Sequence, residues 1–92
     1  MAPDPHHQRI LELAQALRAR RRTLGLTQVE LGRFAGCGPD FVYDLEAGKP
    51  TIRLSKLLDV LAVLGVELRL VEGRRALAVD DQLRPPPKGP TP

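Results

Sequence analysis

The sequence has few residues that could form covalent or metal cross-links, and few aromatic side chains. It contains one cysteine, no tryptophan, one tyrosine and two phenylalanines among 92 residues. The single Cys37 excludes an internal disulfide and any metal site built from four cysteines, and it suits a reducing compartment. No apolar run reaches the ~20 residues that a helix needs to cross a bilayer. We therefore expect a soluble, cytoplasmic protein that does not associate with membranes.

Patterns that indicate catalysis are also missing. His6 and His7 are adjacent in a proline-containing stretch, and neither a nucleophile–base pair nor a phosphate-binding glycine loop can be recognised. We therefore predict that the protein is not an enzyme and has no catalytic residues, cofactor or metal site. The 14 Lys and Arg residues outnumber the 11 Asp and Glu residues and give a formal net charge of +3. This charge favours polyanionic partners without identifying one.

Residues 24–48 predict two short helices joined by a tight turn that contains glycine. Thr27 can accept a hydrogen bond from the first turn of a helix that starts at Gln28. Glu30, three residues after Thr27, completes a capping box. Gly36 suits the left-handed backbone conformation in which many helices end. The first helix of the pair therefore has both of its ends marked in the sequence.

The second helix of the pair is predicted to start near Pro39, which has no amide hydrogen to leave unpaired. Val42 and Leu45 are three residues apart and are expected to face the core. Ala47–Gly48, followed by Pro50, ends the helix. The connecting turn is too short for antiparallel packing, so a near-perpendicular crossing is expected, as in a helix-turn-helix.

Two further helices and one strand complete the predicted fold, which is mainly α. Residues 8–23 carry an apolar stripe at helical spacing, and Arg53 to Leu64 carries a stronger one. The stripes consist of Ile10, Leu13, Ala14 and Leu17, and of Leu54, Leu57, Leu58, Leu61 and Leu64. After Gly65 the pattern alternates between apolar and charged residues, which predicts a half-buried strand with Val66, Leu68 and Leu70 on one face.

The predicted strand needs a partner, and the sequence leaves two arrangements open. It can form a hairpin with residues 76–79, pair with the same strand of a second subunit across a two-fold axis, or do both. A domain of this size gains core from a second subunit. We divide the chain into a flexible N-terminal arm at 1–7, a helix-turn-helix domain at 8–65, dimerisation strands at 66–79 and a disordered proline-rich tail at 80–92.

The helix pair resembles the Cro and phage-repressor superfamily, also called the xenobiotic-response-element family. The shared pattern consists of Gly25-Leu26-Thr27-Gln28, Glu30-Leu31, Ala35-Gly36 and Leu45-Glu46-Ala47-Gly48. From Gly48-Lys49-Pro50-Thr51 onward the chain is most similar to HipB-like antitoxins, which dimerise through such strands. This resemblance leads us to favour pairing of the predicted strand between two subunits. The resemblance implies a lambda-repressor-like fold, a homodimer, and binding to double-stranded DNA at an inverted-repeat operator.

The resemblance also implies a structural ion pair. Arg21 lies on the same helical face as Leu17 and Leu24, so it points inward and needs a carboxylate. In the family that the chain resembles, the matching arginine pairs with the glutamate at the end of the recognition helix, which here is Glu46. We therefore predict a buried or half-buried pair between Arg21 and Glu46.

Phosphate contacts are expected at the start of the first helix of the motif, in the loop after the second, and at the arginine-rich end of the chain's first helix. The residues concerned are Thr27, Gln28, Lys49, Thr51, Arg53 and Arg20. For the arginines the alternative is that they only complement the negative C-terminal end of their own helix. For Lys49 and Arg53 the alternative is an ordinary solvated surface.

The positions that read bases in the family depart from its pattern. They are occupied by Gly38, Pro39, Asp40, Tyr43 and Asp44. None of these residues is the bidentate donor that reads guanine or adenine. The carboxylates should weaken binding unless one accepts a hydrogen bond from cytosine or a neighbouring cation offsets it. The alternative for Asp40 is that its charge only favours its own helix N-terminus. Tyr43 is the remaining candidate for contacting a base edge or a phosphate. DNA shape is expected to supply part of the specificity.

Phe34 and Phe41 occupy positions where the family more often has polar side chains. They either extend the core or form a surface patch for a protein partner, which the HipB-like resemblance implies is a kinase-type toxin. The sequence therefore predicts a dimeric DNA-binding repressor. The HipB-like resemblance implies that this repressor is the autoregulating antitoxin of a toxin-antitoxin operon. The alternatives are a phage or restriction-controller repressor, and a protein-interaction module that keeps the fold with little base readout.

Overall fold

Four α-helices and one short 3-10 helix make up the regular structure of residues 4–85, the part of the chain that the computed structural model describes. They are α1 (His7–Thr23), α2 (Gln28–Ala35), α3 (Pro39–Glu46), α4 (Leu54–Leu64) and the 3-10 helix Asp81–Leu83. The prediction of a mainly helical domain with a central helix-turn-helix is confirmed. Within residues 4–85, no helix has the length and apolar character needed to cross a membrane.

The core lies where all four helices meet. Each helix contributes large apolar side chains: Leu17 from α1, Leu31 from α2, Val42 and Leu45 from α3, and Leu57, Val60, Leu61 and Leu64 from α4. The predicted stripe on α4 is wrong at two positions, because Leu54 and Leu58 are 60% and 46% exposed. The buried face of α4 is formed by Leu57, Val60, Leu61 and Leu64. Leu54 and Leu58 lie to one side of this face and are therefore open to solvent.

The sequence signals at the helix ends are present in three dimensions. The backbone N–H of Glu30 donates to Oγ1 of Thr27 at 3.0 Å, and the N–H of Thr27 donates to Oε1 of Glu30 at 2.9 Å. Gly36 ends α2 with a φ of 70°. Gly38 precedes α3 with a φ of 80° and a ψ of 163°, a backbone conformation that is essentially restricted to glycine.

Within residues 4–85 the structure contains no β-strand. The strand predicted from Val66, Leu68 and Leu70 is therefore unsupported, and the single chain does not form the hairpin with residues 76–79. A strand forms only where a second segment supplies the ladder of backbone hydrogen bonds, and within residues 4–85 no segment pairs with this one. The chain after Glu72 instead turns back towards α1, where Arg75 lies 3.9 Å from Glu12.

The end of the described chain packs on α1. The 3-10 helix contacts α1, and Leu77, Val79 and Leu83 are half-buried. The 3-10 helix thus lies within residues 80–85, which the sequence assigned to a disordered tail. The rest of the predicted tail, residues 86–92, and the first three residues of the predicted arm lie outside the described residues. The described part of that arm runs directly into α1, which begins at His7.

Candidate nucleic-acid interface

Helix α3 presents a polar outer face. Val42 is completely buried and Leu45 is 4% exposed, which anchors the inner face of the helix. The residues predicted to face bases, Asp40, Tyr43 and Asp44, are exposed together with Pro39 at the first helical position. A short helix with one side held in the core and the other side open to solvent has the geometry needed to enter a groove.

Gly38 is also among the predicted base-facing residues, but the structure places it in the turn. Its N–H donates to the carbonyl oxygen of Gly32 at 3.2 Å, and the N–H of Cys37 donates to the same oxygen at 3.1 Å. The turn therefore approaches the backbone of α2 closely at Gly32, which is buried. Gly38 therefore forms part of the turn that leads into α3, and it has no side chain with which to contact a base.

The N-terminus of α2 combines the predicted Thr27 with two backbone amides. The capping box uses the N–H of Glu30, while the N–H groups of Gln28 and Val29 fall in the helical turn that has no internal acceptor. Hydrogen bonds from the backbone and side chain of Thr27 lower the pKa of Glu30. The amides at the first two helical positions are suited to an anion.

The structure brings Arg21 and Glu46 together. Arg21 Nε lies 2.7 Å from Glu46 Oε2, and its second terminal nitrogen lies 3.0 Å from Oε1. Arg21 also donates to the carbonyl oxygen of Leu26 at 2.7 Å. The two side chains are only 10% and 4% exposed. This bidentate pair ties α1 and the loop before α2 to the end of α3, and so fixes α3 against the rest of the domain.

Gln28 belongs to the same network. Its Nε2 donates to Glu46 Oε1 at 3.1 Å, so the side chain predicted to face a phosphate is directed to the end of α3. The backbone amide of Gln28 stays at the helix N-terminus. The phosphate contact that the geometry allows at this point therefore comes from the main chain, with the side chain acting as a brace between α2 and α3.

Arg20 is tied to a different part of the scaffold. Its Nε donates to the carbonyl oxygen of Leu64 at 2.9 Å, at the last residue of α4. This carbonyl is one of those that a helix leaves without an internal partner. The geometry gives Arg20 the role of holding α1 to α4, while the neighbouring Arg18 and Arg22 are exposed. The predicted DNA contact of Arg20 thus has no support from its position.

The loop after α3 carries exposed cationic and hydroxyl side chains. Lys49, Thr51 and Arg53 are all exposed, as a phosphate clamp requires. Lys49 Nζ lies 3.4 Å from Asp44 Oδ2, and the two side chains are about half exposed, at 50% and 51%. The lysine therefore offsets the charge of one of the two acidic residues on the outer face of α3. Asp40 lies in the first turn of α3, where its charge favours the helix N-terminus.

The two phenylalanines have different environments. Phe41 packs against the core, and Lys56 Nζ lies 6.0 Å from the centre of its ring. Phe34 is 60% exposed. Each of the two interpretations therefore fits one of the phenylalanines. Phe41 extends the core, and Phe34 has the exposure that a contact with a partner requires. Sequence spacing could not separate them, because their exposure depends on how α2 and α3 pack on α4.

Cys37 lies in the turn and is half-buried. Burial raises the pKa of its thiol, and Sγ lies 3.6 Å from the carbonyl oxygen of Gly38, to which the thiol donates. The protonated thiol is therefore a packing group of the turn. Among residues 4–85, no three His, Cys, Asp or Glu side chains are grouped so as to hold a metal ion.

Sequence reasoning missed the contacts that Gln28, Arg20 and Lys49 make. Gln28 and Arg20 join elements whose relative positions follow from tertiary packing, so helical spacing gives no signal for their contacts. Lys49 contacts Asp44, five residues earlier, through the turn that follows α3. Gly32 was also missed, although a glycine inside a predicted helix is a recognisable signal. Such a residue often marks a close approach of another backbone segment, and here that segment is the turn before α3.

These features define a small four-helix domain that contains a helix-turn-helix. The first helix of the motif, α2, starts with a capping box, and the outer face of the second, α3, is exposed. A family model described as a helix-turn-helix domain matches residues 12–77, and the chain belongs to this family. It is also 40% identical over 60 residues to the uncharacterized HTH-type transcriptional regulator y4mF of Sinorhizobium fredii (strain NBRC 101917 / NGR234). The aligned stretch covers 65% of this chain and 79% of that protein.

Proposed function

We propose that the chain is a transcriptional regulator that binds double-stranded DNA, with α3 in the major groove and the N-terminus of α2 against a phosphate. The observation that carries this proposal is the exposed outer face of α3, held on the scaffold by the buried Arg21–Glu46 pair. The helix-turn-helix family and the relative named as a transcriptional regulator support it. Binding, and not catalysis, is the activity we assign.

The balance of contacts sets the strength of binding. The exposed Lys49, Thr51 and Arg53 can reach phosphates. Asp40 on α3 opposes the approach to a polyanion, whereas the charge of Asp44 is offset by Lys49. Because the favourable contacts are mostly electrostatic, we expect weak to moderate affinity that falls steeply as the salt concentration rises.

We further propose that the active form is a homodimer on an inverted-repeat operator, with half-sites about 34 Å apart. Several large apolar residues are exposed in the single chain: Leu54, Leu58, Leu68, Leu70 and Val71. Pairing of residues 66–72 with their equivalents in a second copy would satisfy the backbone of this segment and cover part of that surface. The dimer arranged in this way would resemble the HipB-like branch of the Cro superfamily.

The regulator that we propose is an antitoxin that represses its own promoter and captures a kinase-type toxin. The resemblance from Gly48 to Thr51 supports this role, and the exposed Phe34 offers an apolar contact for the toxin. A protein-interaction module without DNA binding is the second candidate, which the acidic outer face of α3 favours. Co-purification of the chain with the product of the neighbouring gene tests for the toxin. If the chain is instead a phage or restriction-controller repressor, we expect no toxin to co-purify with it.

Fluorescence anisotropy with a duplex from the DNA upstream of the gene tests the DNA-binding function. We expect binding at low salt and a linear fall of log Kobs with log salt concentration. Arg53→Ala should weaken binding to all duplexes and reduce the slope by about one. The matched control is Arg74→Ala, which removes the same charge from an exposed loop. A protein that binds no duplex at low salt would favour the interaction module.

A further inference from the structure

The contact between Asp44 and Lys49 lies where α3 would face the bases. Asp44 Oδ2 and Lys49 Nζ are 3.4 Å apart, and both side chains are about half exposed. The backbone N–H of Lys49 also donates to the carbonyl oxygen of Asp44 at 3.0 Å, so the turn after α3 holds the two residues together. An anionic acceptor and a cationic donor are thus presented side by side from the same end of α3.

We propose that Asp44 and Lys49 together read one C·G base pair in the major groove. The carboxylate accepts a hydrogen bond from the N4 amino group of cytosine, and the ammonium group donates to O6 of the paired guanine. In the base pair, N4 and O6 are hydrogen-bonded to each other at about 3 Å. This separation is close to the 3.4 Å between Asp44 Oδ2 and Lys49 Nζ, so both contacts form without separating the two side chains.

The edge of an A·T pair also offers an amino donor beside a carbonyl acceptor, but its flanking groups fit this pair of residues less well. The acceptor N7 lies beside the adenine amino group and would repel the carboxylate of Asp44. The methyl group of thymine lies beside O4 and offers Lys49 no acceptor. On guanine, in contrast, N7 lies beside O6 and gives the ammonium group a second acceptor. The pair should therefore prefer C·G.

The charge of Lys49 also makes the position of Asp44 compatible with DNA. An aspartate alone would be repelled by the phosphates on both sides of the groove, whereas an Asp–Lys pair carries no net charge. This assignment rests on the proposed DNA-binding function and deepens it, because it names a base pair and the residues that read it. Lys49 is then a base-reading residue, and Thr51 and Arg53 remain for the phosphate backbone.

Selection from randomised duplexes, followed by anisotropy on the enriched sites, tests the assignment. The wild-type protein should enrich C·G at one position of each half-site. Asp44→Asn keeps the shape of the side chain and supplies the amide that reads adenine, so it should shift that position to A·T by about tenfold in relative affinity. Lys49→Met should lose the preference. Asp81→Asn is the matched control, since Asp81 is exposed and also lies 3.4 Å from an arginine, Arg84.

The outcomes distinguish the assignment from the proposed function. If Asp44→Asn strengthens binding to every duplex equally, Asp44 only repels phosphate and the assignment is overturned. Salt-dependent binding by wild type without any enriched C·G position also overturns it, while DNA binding stands. If wild type binds no duplex at low salt, both proposals fail. Circular dichroism of each variant verifies that the fold is retained.

Discussion

Burial decides which charged residues stabilise this domain. Arg21 and Glu46 are 10% and 4% exposed and share two hydrogen bonds, whereas Arg69 and Glu67 form a pair that is 74% and 72% exposed. An exposed pair gains little because water screens it and its side chains lose entropy. A buried pair also costs desolvation, but removing one member leaves the other charge without compensation.

Glu46→Ala should therefore be strongly destabilising. Arg21 would remain buried without its carboxylate, and Gln28 would lose the acceptor of its side-chain amide. We expect a loss of about 3–5 kcal/mol in the free energy of unfolding. Glu67→Ala, which breaks an exposed ion pair, should change it by less than about 0.5 kcal/mol. Urea denaturation followed by circular dichroism measures both values, and equal effects would contradict the assigned role of Glu46.

The capping box at Thr27 makes stability depend on pH. Hydrogen bonds from Thr27 hold the pKa of Glu30 below its usual value of 4.5. The folded state therefore favours the ionised acid, and this stabilisation is present above about pH 4.5 and is lost as pH falls through the lowered pKa. Melting temperatures of wild type and Glu30→Gln should differ at pH 7 and converge as pH falls through the lowered pKa of Glu30. A constant difference at all pH values would show that ionisation of Glu30 contributes nothing.

At the scale of elements, the angle between α2 and α3 depends on the absence of a side chain at Gly32. A Cβ there would lie 2.5 Å from both the carbonyl carbon and the oxygen of Gly38, and 2.8 Å from the nitrogen of Pro39. These are backbone atoms, so the turn itself would have to move. The same contact region forms the hydrogen bonds from Cys37 and Gly38 to the Gly32 carbonyl.

Gly32→Ala should thus reverse the usual effect of this substitution. In an exposed helix interior alanine is more stable than glycine by about 1 kcal/mol. Here the clash should outweigh that gain and destabilise the domain by about 1–3 kcal/mol. Gly73→Ala serves as the control, since a Cβ at that position meets no atom within 4 Å. Thermal denaturation compares the two variants, and a higher melting temperature for Gly32→Ala would show that the turn can move without cost.

Helices could be predicted from the sequence where their signals are local. The Thr27–Glu30 capping box, the left-handed Gly36 and Pro39 act within one turn of the backbone, and the structure has all three in the expected conformations. The strand at 66–70 could not be decided in this way. Alternation shows that a segment fits a half-buried strand, but strand formation depends on a partner elsewhere in space. Within residues 4–85 of the single chain, no segment pairs with residues 66–70.

The candidate site could be predicted in outline and not in its contacts. Periodicity places Asp40, Tyr43 and Asp44 opposite the buried Val42 and Leu45, and these residues are exposed as expected. The partner of Gln28 depends on how α2 packs against α3, and the partner of Lys49 depends on the turn in which the chain leaves α3. Arg21–Glu46 joins residues 25 positions apart, and only the family resemblance indicated it.

At the scale of the whole molecule, the domain buries a small core and leaves much apolar surface near its C-terminal half. Leu68, Leu70 and Val71 are 54%, 98% and 81% exposed, and Val66 packs against the core at the start of the segment. A second copy of the chain could cover this surface by pairing along residues 66–72. Two recognition helices would then face successive turns of the major groove, which a single copy cannot do.

Leu70→Asp tests this arrangement without disturbing the single domain, because Leu70 is 98% exposed. In a paired strand it would lie on the same face as Val66 and Leu68, where a buried charge is costly. We expect the dimer dissociation constant, measured by sedimentation equilibrium, to rise at least about tenfold, since about 1.4 kcal/mol corresponds to that factor. Val71→Asp adds the same charge to the opposite face and should have a smaller effect.

Binding to an isolated half-site should be unchanged in Leu70→Asp, while binding to the full inverted repeat should weaken, because only the dimer occupies both half-sites. If the two variants dissociate equally, or if Leu70→Asp stays dimeric and binds the full repeat like wild type, then dimerisation through an apolar strand face at 66–72 is wrong.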